Sequence, residues 1–233
     1  MIVPAPIAGF LGRAEDLLRG TAPRPITRGP RSLRRTLAQL LLIMIVFGAT
    51  YGAVMGTFGG LHPGRRLQLL YSATKVPMLL AVSFCLTLPS FFVINTIAGL
   101  RDDFAEVLQA LISAQAGLTI VLASLAPFTA FWYVSVADYD AALTFNALMF
   151  AIATTAAQWM LRRSYRPLLA ANPRHRLMLR LWLILYAFVA IQMAWVLRPF
   201  IGSPSAPVSF FRPEAWGNAY VELGKTVARA MGI

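Results

Sequence analysis

Five carboxamides sit inside or beside long apolar runs of this chain: Asn95, Gln115, Asn146, Gln158 and Gln192. Each carries donors and an acceptor that hydrocarbon cannot satisfy, so each must turn toward a polar partner or a wet path. Asn95, Gln115 and Asn146 are the candidates for a polar lining. Pro89 and Pro127 fall in mid-run, where each removes a backbone donor and bends a helix. Bent helices with inward amides could line a solute path. The same residues could equally be hydrogen-bonding glue between helices.

Other reactive side chains are few. There is one cysteine, Cys85, and there are two histidines, His62 and His175. A lone cysteine excludes an intrachain disulfide and a cysteine-based metal centre. Both histidines fall outside the apolar runs, which excludes a haem held by two of them within the membrane. HExxH, GxSxG, CxxC and glycine-rich phosphate loops are absent. Ser203 and Ser205 have no base nearby in the sequence. His175, in NPRHR, could hold a phosphate with its neighbouring arginines, but a basic loop resting on lipid headgroups explains the same residues. Asp102, Asp103 and Glu106 lie at one border of a run, and Asp138 and Asp140 at another. None is central, whereas coupled carriers place an ionisable group near mid-membrane. No catalytic, cofactor-binding or metal-binding residue is assigned, and no cofactor is expected.

The elements that must position these residues are five long apolar stretches, at 37–59, 74–99, 107–134, 141–162 and 178–200. Each is long enough to cross a bilayer core, which takes about 20 helical residues. Of the 233 residues, 58% are hydrophobic and only 13% charged, about half the charged share of a soluble domain. The mean hydropathy is +0.65. The expected fold is all-α, a polytopic five-helix membrane bundle. It comprises a basic N-terminal arm (1–36), the bundle (37–200) and a C-terminal segment (201–233). Residues 9–20 suit a short amphipathic helix with Leu11, Leu17 and Leu18 on or near its apolar face. A second is expected over 215–231. The opening apolar stretch, broken by Pro4 and Pro6, does not read as a secretory signal.

The net charge of +12 is concentrated. Arginines crowd the arm and the 162–180 region, which places both on the cytoplasmic side, against anionic lipid headgroups. Charges that flank spans argue against a nucleic-acid partner. Five spans then leave the C-terminus outside. Arg65, Arg66 and Lys75 resist this topology; snorkelling or pairing with Asp138 and Asp140 would accommodate them. Arginine far exceeds lysine, which has only Lys75 and Lys225. That bias suggests a bacterial chain from a GC-rich genome, in the inner membrane.

Gly48, Gly52 and Gly56 repeat every fourth residue of the first span, a stripe that lets another helix approach closely. Its partner could be this bundle or another subunit. Trp132, Tyr133, Trp182, Tyr186 and Trp195 suit an interfacial belt or an aromatic patch. Beyond Arg198, the stretch RPFIGSPSAPVSFFRPEAW holds Phe210, Phe211 and Trp216 with few charges. These residues are expected to anchor the segment over the bundle end, or to meet a partner.

The five spans, the basic arm and the proline-bearing KVPMLLAVSFCLTLP helix resemble Yip-type membrane proteins over about residues 65–200. That resemblance implies a five-helix bundle that organises membranes or recruits partners, and no enzyme. The long aromatic tail departs from the family pattern. The second half also resembles an uncharacterised bacterial membrane-protein family, which implies no activity. The expected function is a non-catalytic membrane subunit or organiser, bound to other membrane subunits or to copies of itself. A small oligomeric transporter or channel is the alternative.

Overall fold

The structure, a computed structural model, describes residues 5–20, 30–203, 206–212 and 216–221. Helix α1 (Ala5–Arg19) precedes five longer helices: α2 (Pro30–Met55), α3 (Arg66–Ile97), α4 (Phe104–Ser135), α5 (Tyr139–Ala171) and α6 (His175–Val196). A short turn of 3-10 helix, Pro63–Arg65, leads into α3. No strand occurs among the described residues. The five long helices are each apolar enough to cross a membrane. Ser205 and most of the helix expected over 215–231 lie outside the described residues.

Helix ends run past the apolar stretches that announce them. The segment LQLLYSAT belongs to α3 itself, and α5 continues through Arg162, Arg163 and Pro167 to Ala171. The expected loop at 163–177 therefore shrinks to 172–174. Arginines are good helix formers, so a helix does not stop where hydropathy falls. Asp138 caps α5, accepting a hydrogen bond from the Ala141 N–H at 2.7 Å.

Helix packing follows the order α6–α3–α2–α4–α5, an open arc whose two end helices, α5 and α6, scarcely touch. Glycines set the closest seam. A Cβ on Gly52 would fall inside contact distance of the Ser72 carbonyl and 2.9 Å from Ala73 Cα. One on Gly56 would lie 2.5 Å from Leu69 Cα. Both glycines thus admit the α3 backbone against α2, the small-residue packing that works where no hydrophobic force draws helices together. At Gly48 the nearest atoms, on Thr119 and Pro77, stand at an ordinary 3.4–3.5 Å.

Helix α1 lies along α2 and α4. Its buried residues are Ala14 and Leu17, packed with Leu40, Ile43, Ala116 and Ile120, and Phe10 stacks on Phe47. Leu11 and Leu18 stay exposed, a departure from the expected apolar face. The i, i+4, i+7 row through Phe10 carries the contact instead. At the same end of the bundle, His175 Nε2 meets Asp103 Oδ2 at 3.0 Å, and the Arg174 guanidinium donates to the Ala98 carbonyl at 3.3 Å. These contacts clip the α3–α4 turn to the α5–α6 turn. Many outward side chains are apolar, with Ile97, Phe131 and Val134 at 82%, 74% and 89% exposure. An apolar exterior of this kind suits hydrocarbon.

Candidate functional site

Because α5 and α6 stand apart, a cavity of about 990 Å³ opens between them. Its floor comes from α3 and α4, through Leu79, Leu80, Leu111 and Leu118. Its walls are one stripe of α5 (Leu143, Ala147, Phe150, Ala157, Leu161) and one of α6 (Leu183, Ala187, Ala190, Ile191, Ala194). Both stripes have helical spacing. Alanines stand where larger side chains would fill the gap, so the space is written into the sequence as small residues at facing positions. Among the described residues no histidine, cysteine, aspartate or glutamate lines it.

The three amides expected to form a polar lining part company. Asn146 reaches the cavity, yet its hydrogen bonds are already spent. It accepts from the Tyr51 hydroxyl at 2.9 Å and donates to the Tyr133 hydroxyl at 2.6 Å and the Ala142 carbonyl at 2.8 Å. Thr129 donates in turn to Tyr51. This closed network ties α2, α4 and α5 together. Gln115 also faces the cavity and accepts from the Tyr186 hydroxyl at 3.2 Å, linking α4 to α6. Asn95 lies elsewhere, donating to Phe91 of its own helix. Gln158 lines the cavity, and its Oε1 is buried without a hydrogen-bond partner. Gln192 holds the tail, accepting from Ala219 N–H and donating to the Gly217 carbonyl.

The tail leaves α6 and folds back over one end of the cavity. What holds it is a polar row that starts at Arg65, in the turn before α3, and continues along α3 through Gln68, Ser72 and Lys75, spaced three or four residues apart. Lys75 Nζ donates to the Pro199 carbonyl at 2.7 Å. Ser72 and Gln68 both donate to the Phe200 carbonyl. Arg65 donates to the carbonyls of Gly202 and Ser203 at 2.7 and 3.1 Å. From α5, Tyr139 donates to Ile201. Five successive carbonyls, 199–203, are thereby satisfied by side chains. Lys75 and Arg65 engage these carbonyls, so the expected pairing with Asp138 and Asp140 is replaced. The signal was present as a stripe, but its acceptors are backbone atoms and have no residue type to look for.

Of the expected tail anchors, Phe210 packs on α3, and Phe211 meets the Phe210 ring edge-on at 4.8 Å. The Phe210 ring meets Tyr71 edge-on at 5.2 Å and lies 4.9 Å from Lys75 Nζ. Phe211 is 41% exposed and Trp216 82% exposed. The carbonyl row does the anchoring that was expected of these aromatics.

Arg198 and Arg212 line the mouth of the cavity. Their guanidinium carbons lie 3.7 and 4.1 Å from the centroid of a single ring, Trp195. Burial, and then the like charge of Arg212, pulls Arg198 below the usual arginine value. Nε of Arg198, Nε and Nη2 of Arg212 and Nε1 of Trp195 are buried with no hydrogen-bond partner among the described residues. The ion pairs among the described residues are Arg19–Glu15 and His175–Asp103, neither of which involves these arginines. The site is thus an apolar slot with a cationic, donor-rich rim.

Comparison with known proteins finds no matching protein family, curated protein or solved structure.

Proposed function

We propose that this chain is a non-catalytic multi-span protein of a bacterial inner membrane that takes an amphipathic lipid from the bilayer into the cleft between α5 and α6. The observation that carries the reading is the cleft itself: about 990 Å³, walled by apolar and small side chains, between two helices that scarcely touch. Its size sits at the upper end of the roughly 300–1,000 Å³ typical of ligand sites. A hydrophilic solute would want free polar groups along the wall. Gln115 and Asn146 are already engaged with tyrosines, and Asn95 is elsewhere, which leaves two isolated acceptors, Gln68 Oε1 and Gln158 Oε1, in a wall that is otherwise mostly apolar. These facts count against a polar conduit. Among the described residues no carboxylate, imidazole or thiol lines the cleft, which supports a binding role over a catalytic one.

The arginine-rich end, with α1, Arg162, Arg163 and Arg174, faces the cytoplasm on this reading, following the usual bias of basic loops. The tail and the rim of the cleft then face outward. Native mass spectrometry of the chain released from mild detergent tests the function. A stoichiometric lipid adduct is expected, and its loss in Ala187→Phe/Ala190→Phe, which fills the slot. A lipid-free wild-type chain would sink the reading.

A second reading, as a subunit or organiser of a larger assembly or homo-oligomer, is favoured by Trp216 and Phe211, which stand exposed on the tail. Exposed aromatics are common anchors of protein contacts. Trp216→Ala should then release companions that co-purify with the wild type. Unchanged companions, or none, would remove this reading.

A further inference from the structure

Resting on the lipid-binding reading, we infer that Arg198 and Arg212 form a headgroup clamp that selects anionic phospholipid. Three independent features of the rim converge on this chemistry.

The first is charge. Two guanidinium groups gather over one indole, with no carboxylate paired to either among the described residues. Half-buried like charges held together are unfavourable unless an anion joins them. The second is hydrogen bonding. Every unpartnered group of the trio is a donor: Arg198 Nε, Arg212 Nε and Nη2, and Trp195 Nε1. Buried donors of this kind require acceptors, and a guanidinium fork matches two oxygens of a phosphate. The third is position. The clamp stands where the apolar slot ends. A molecule that fills the slot with hydrocarbon therefore presents its polar end to the arginines.

Chemistry decides between lipid and protein as the occupant. A membrane-crossing helix satisfies its own backbone groups and offers no oxyanion to the donors of Arg198, Arg212 and Trp195. A phospholipid brings hydrocarbon for the apolar slot and phosphate oxygens for the rim in one molecule. Trp195, which carries both guanidinium groups, stands in the last turn of α6, where aromatics commonly mark a membrane interface. Arg65 does not share the role in full, since its Nη2 is committed to the tail carbonyls.

The test uses the full chain in nanodiscs of equimolar phosphatidylglycerol and phosphatidylcholine, released into native mass spectrometry. The adduct of the wild type should be enriched in phosphatidylglycerol about tenfold, the equivalent of one charge-assisted contact. Arg198→Gln/Arg212→Gln should keep an adduct but lose the enrichment. Arg212 lies beyond the last long helix, so Arg212→Gln alone carries the test if the double variant does not fold. Its enrichment should fall at least severalfold. Added inorganic phosphate should leave the adduct in place. Three outcomes would overturn the clamp while leaving the cleft a lipid site: equal amounts of both lipids on the wild type, enrichment that survives Arg212→Gln and the double variant, or displacement by phosphate. A wild type with no lipid at all would instead remove the reading beneath it.

Discussion

Replacing Gly52 with alanine should separate α2 from α3 and unsettle everything that α3 holds. The added Cβ would lie 2.9 Å from Ala73 Cα and nearer still to the Ser72 carbonyl. Ordinary carbon contacts begin near 3.4 Å, so one helix must retreat by at least about half an ångström along a close-packed seam. Overpacking of this kind costs about 1–3 kcal/mol. Alanine's better helix propensity returns up to about 1 kcal/mol. Three α3 backbone atoms within 2.9 Å of the added Cβ put the cost in the upper part of that range, so the net loss should be about 1–2 kcal/mol, a factor of about 5–30 in the folded-to-unfolded ratio. Gly48→Ala is the internal control, because its Cβ would find neighbours at 3.4–3.5 Å; it should be neutral or stabilising. Both variants are to be unfolded in detergent by heat and by denaturing surfactant, with helicity and tryptophan fluorescence as readouts. Gly52→Ala as stable as the wild type, or Gly48→Ala equally damaged, would refute the backbone-contact argument.

Other consequences are as specific. Lys75→Met removes the donor to the Pro199 carbonyl and the cation beside Phe210; a charged hydrogen bond is worth about 1.5–3 kcal/mol, so amide exchange over 197–212 should quicken by at least tenfold. Unchanged exchange would mean that the polar row does not hold the tail. Tyr51→Phe strips Asn146 Oδ1 of its donor at a buried site, and thermal unfolding should show a loss of about 1–3 kcal/mol. Trp216→Cys, in a Cys85→Ser background, should react with an impermeant maleimide in intact cells, since position 216 is 82% exposed. Labelling only after lysis would reverse the proposed topology.

Much of the architecture is legible from residue types. Long runs with few charges announce five helices, and the Gly52 and Gly56 stripe announces a close helix contact before its partner is known. Helix ends are less legible: α5 carries Arg162, Arg163 and Arg166 and keeps going, because hydropathy measures the solvent a segment prefers, not where its backbone stops. The cleft is hidden for a different reason. It depends on which helices are neighbours, and the chain order does not reveal that α6 docks on α3 and leaves α5. Ala187, Ala190 and Ala194 look like ordinary helix-forming alanines until the facing wall is known. The clamp is least visible of all. Arg198 reads as the end of a span and Arg212 as one charge in a tail; only the fold of the chain brings both to Trp195.

The most direct test of a lipid in the cleft leaves Trp182 as the sole tryptophan, with Trp132, Trp159, Trp195 and Trp216 changed to phenylalanine. Trp182 lines the cleft and is only 2% exposed. In nanodiscs of lipid brominated along its acyl chains, an occupying chain would bring bromine against the indole. Strong quenching, abolished by Ala187→Phe/Ala190→Phe, is the predicted result. A Trp182 that stays bright, while a chain keeping only the outward Trp159 is quenched, would contradict it.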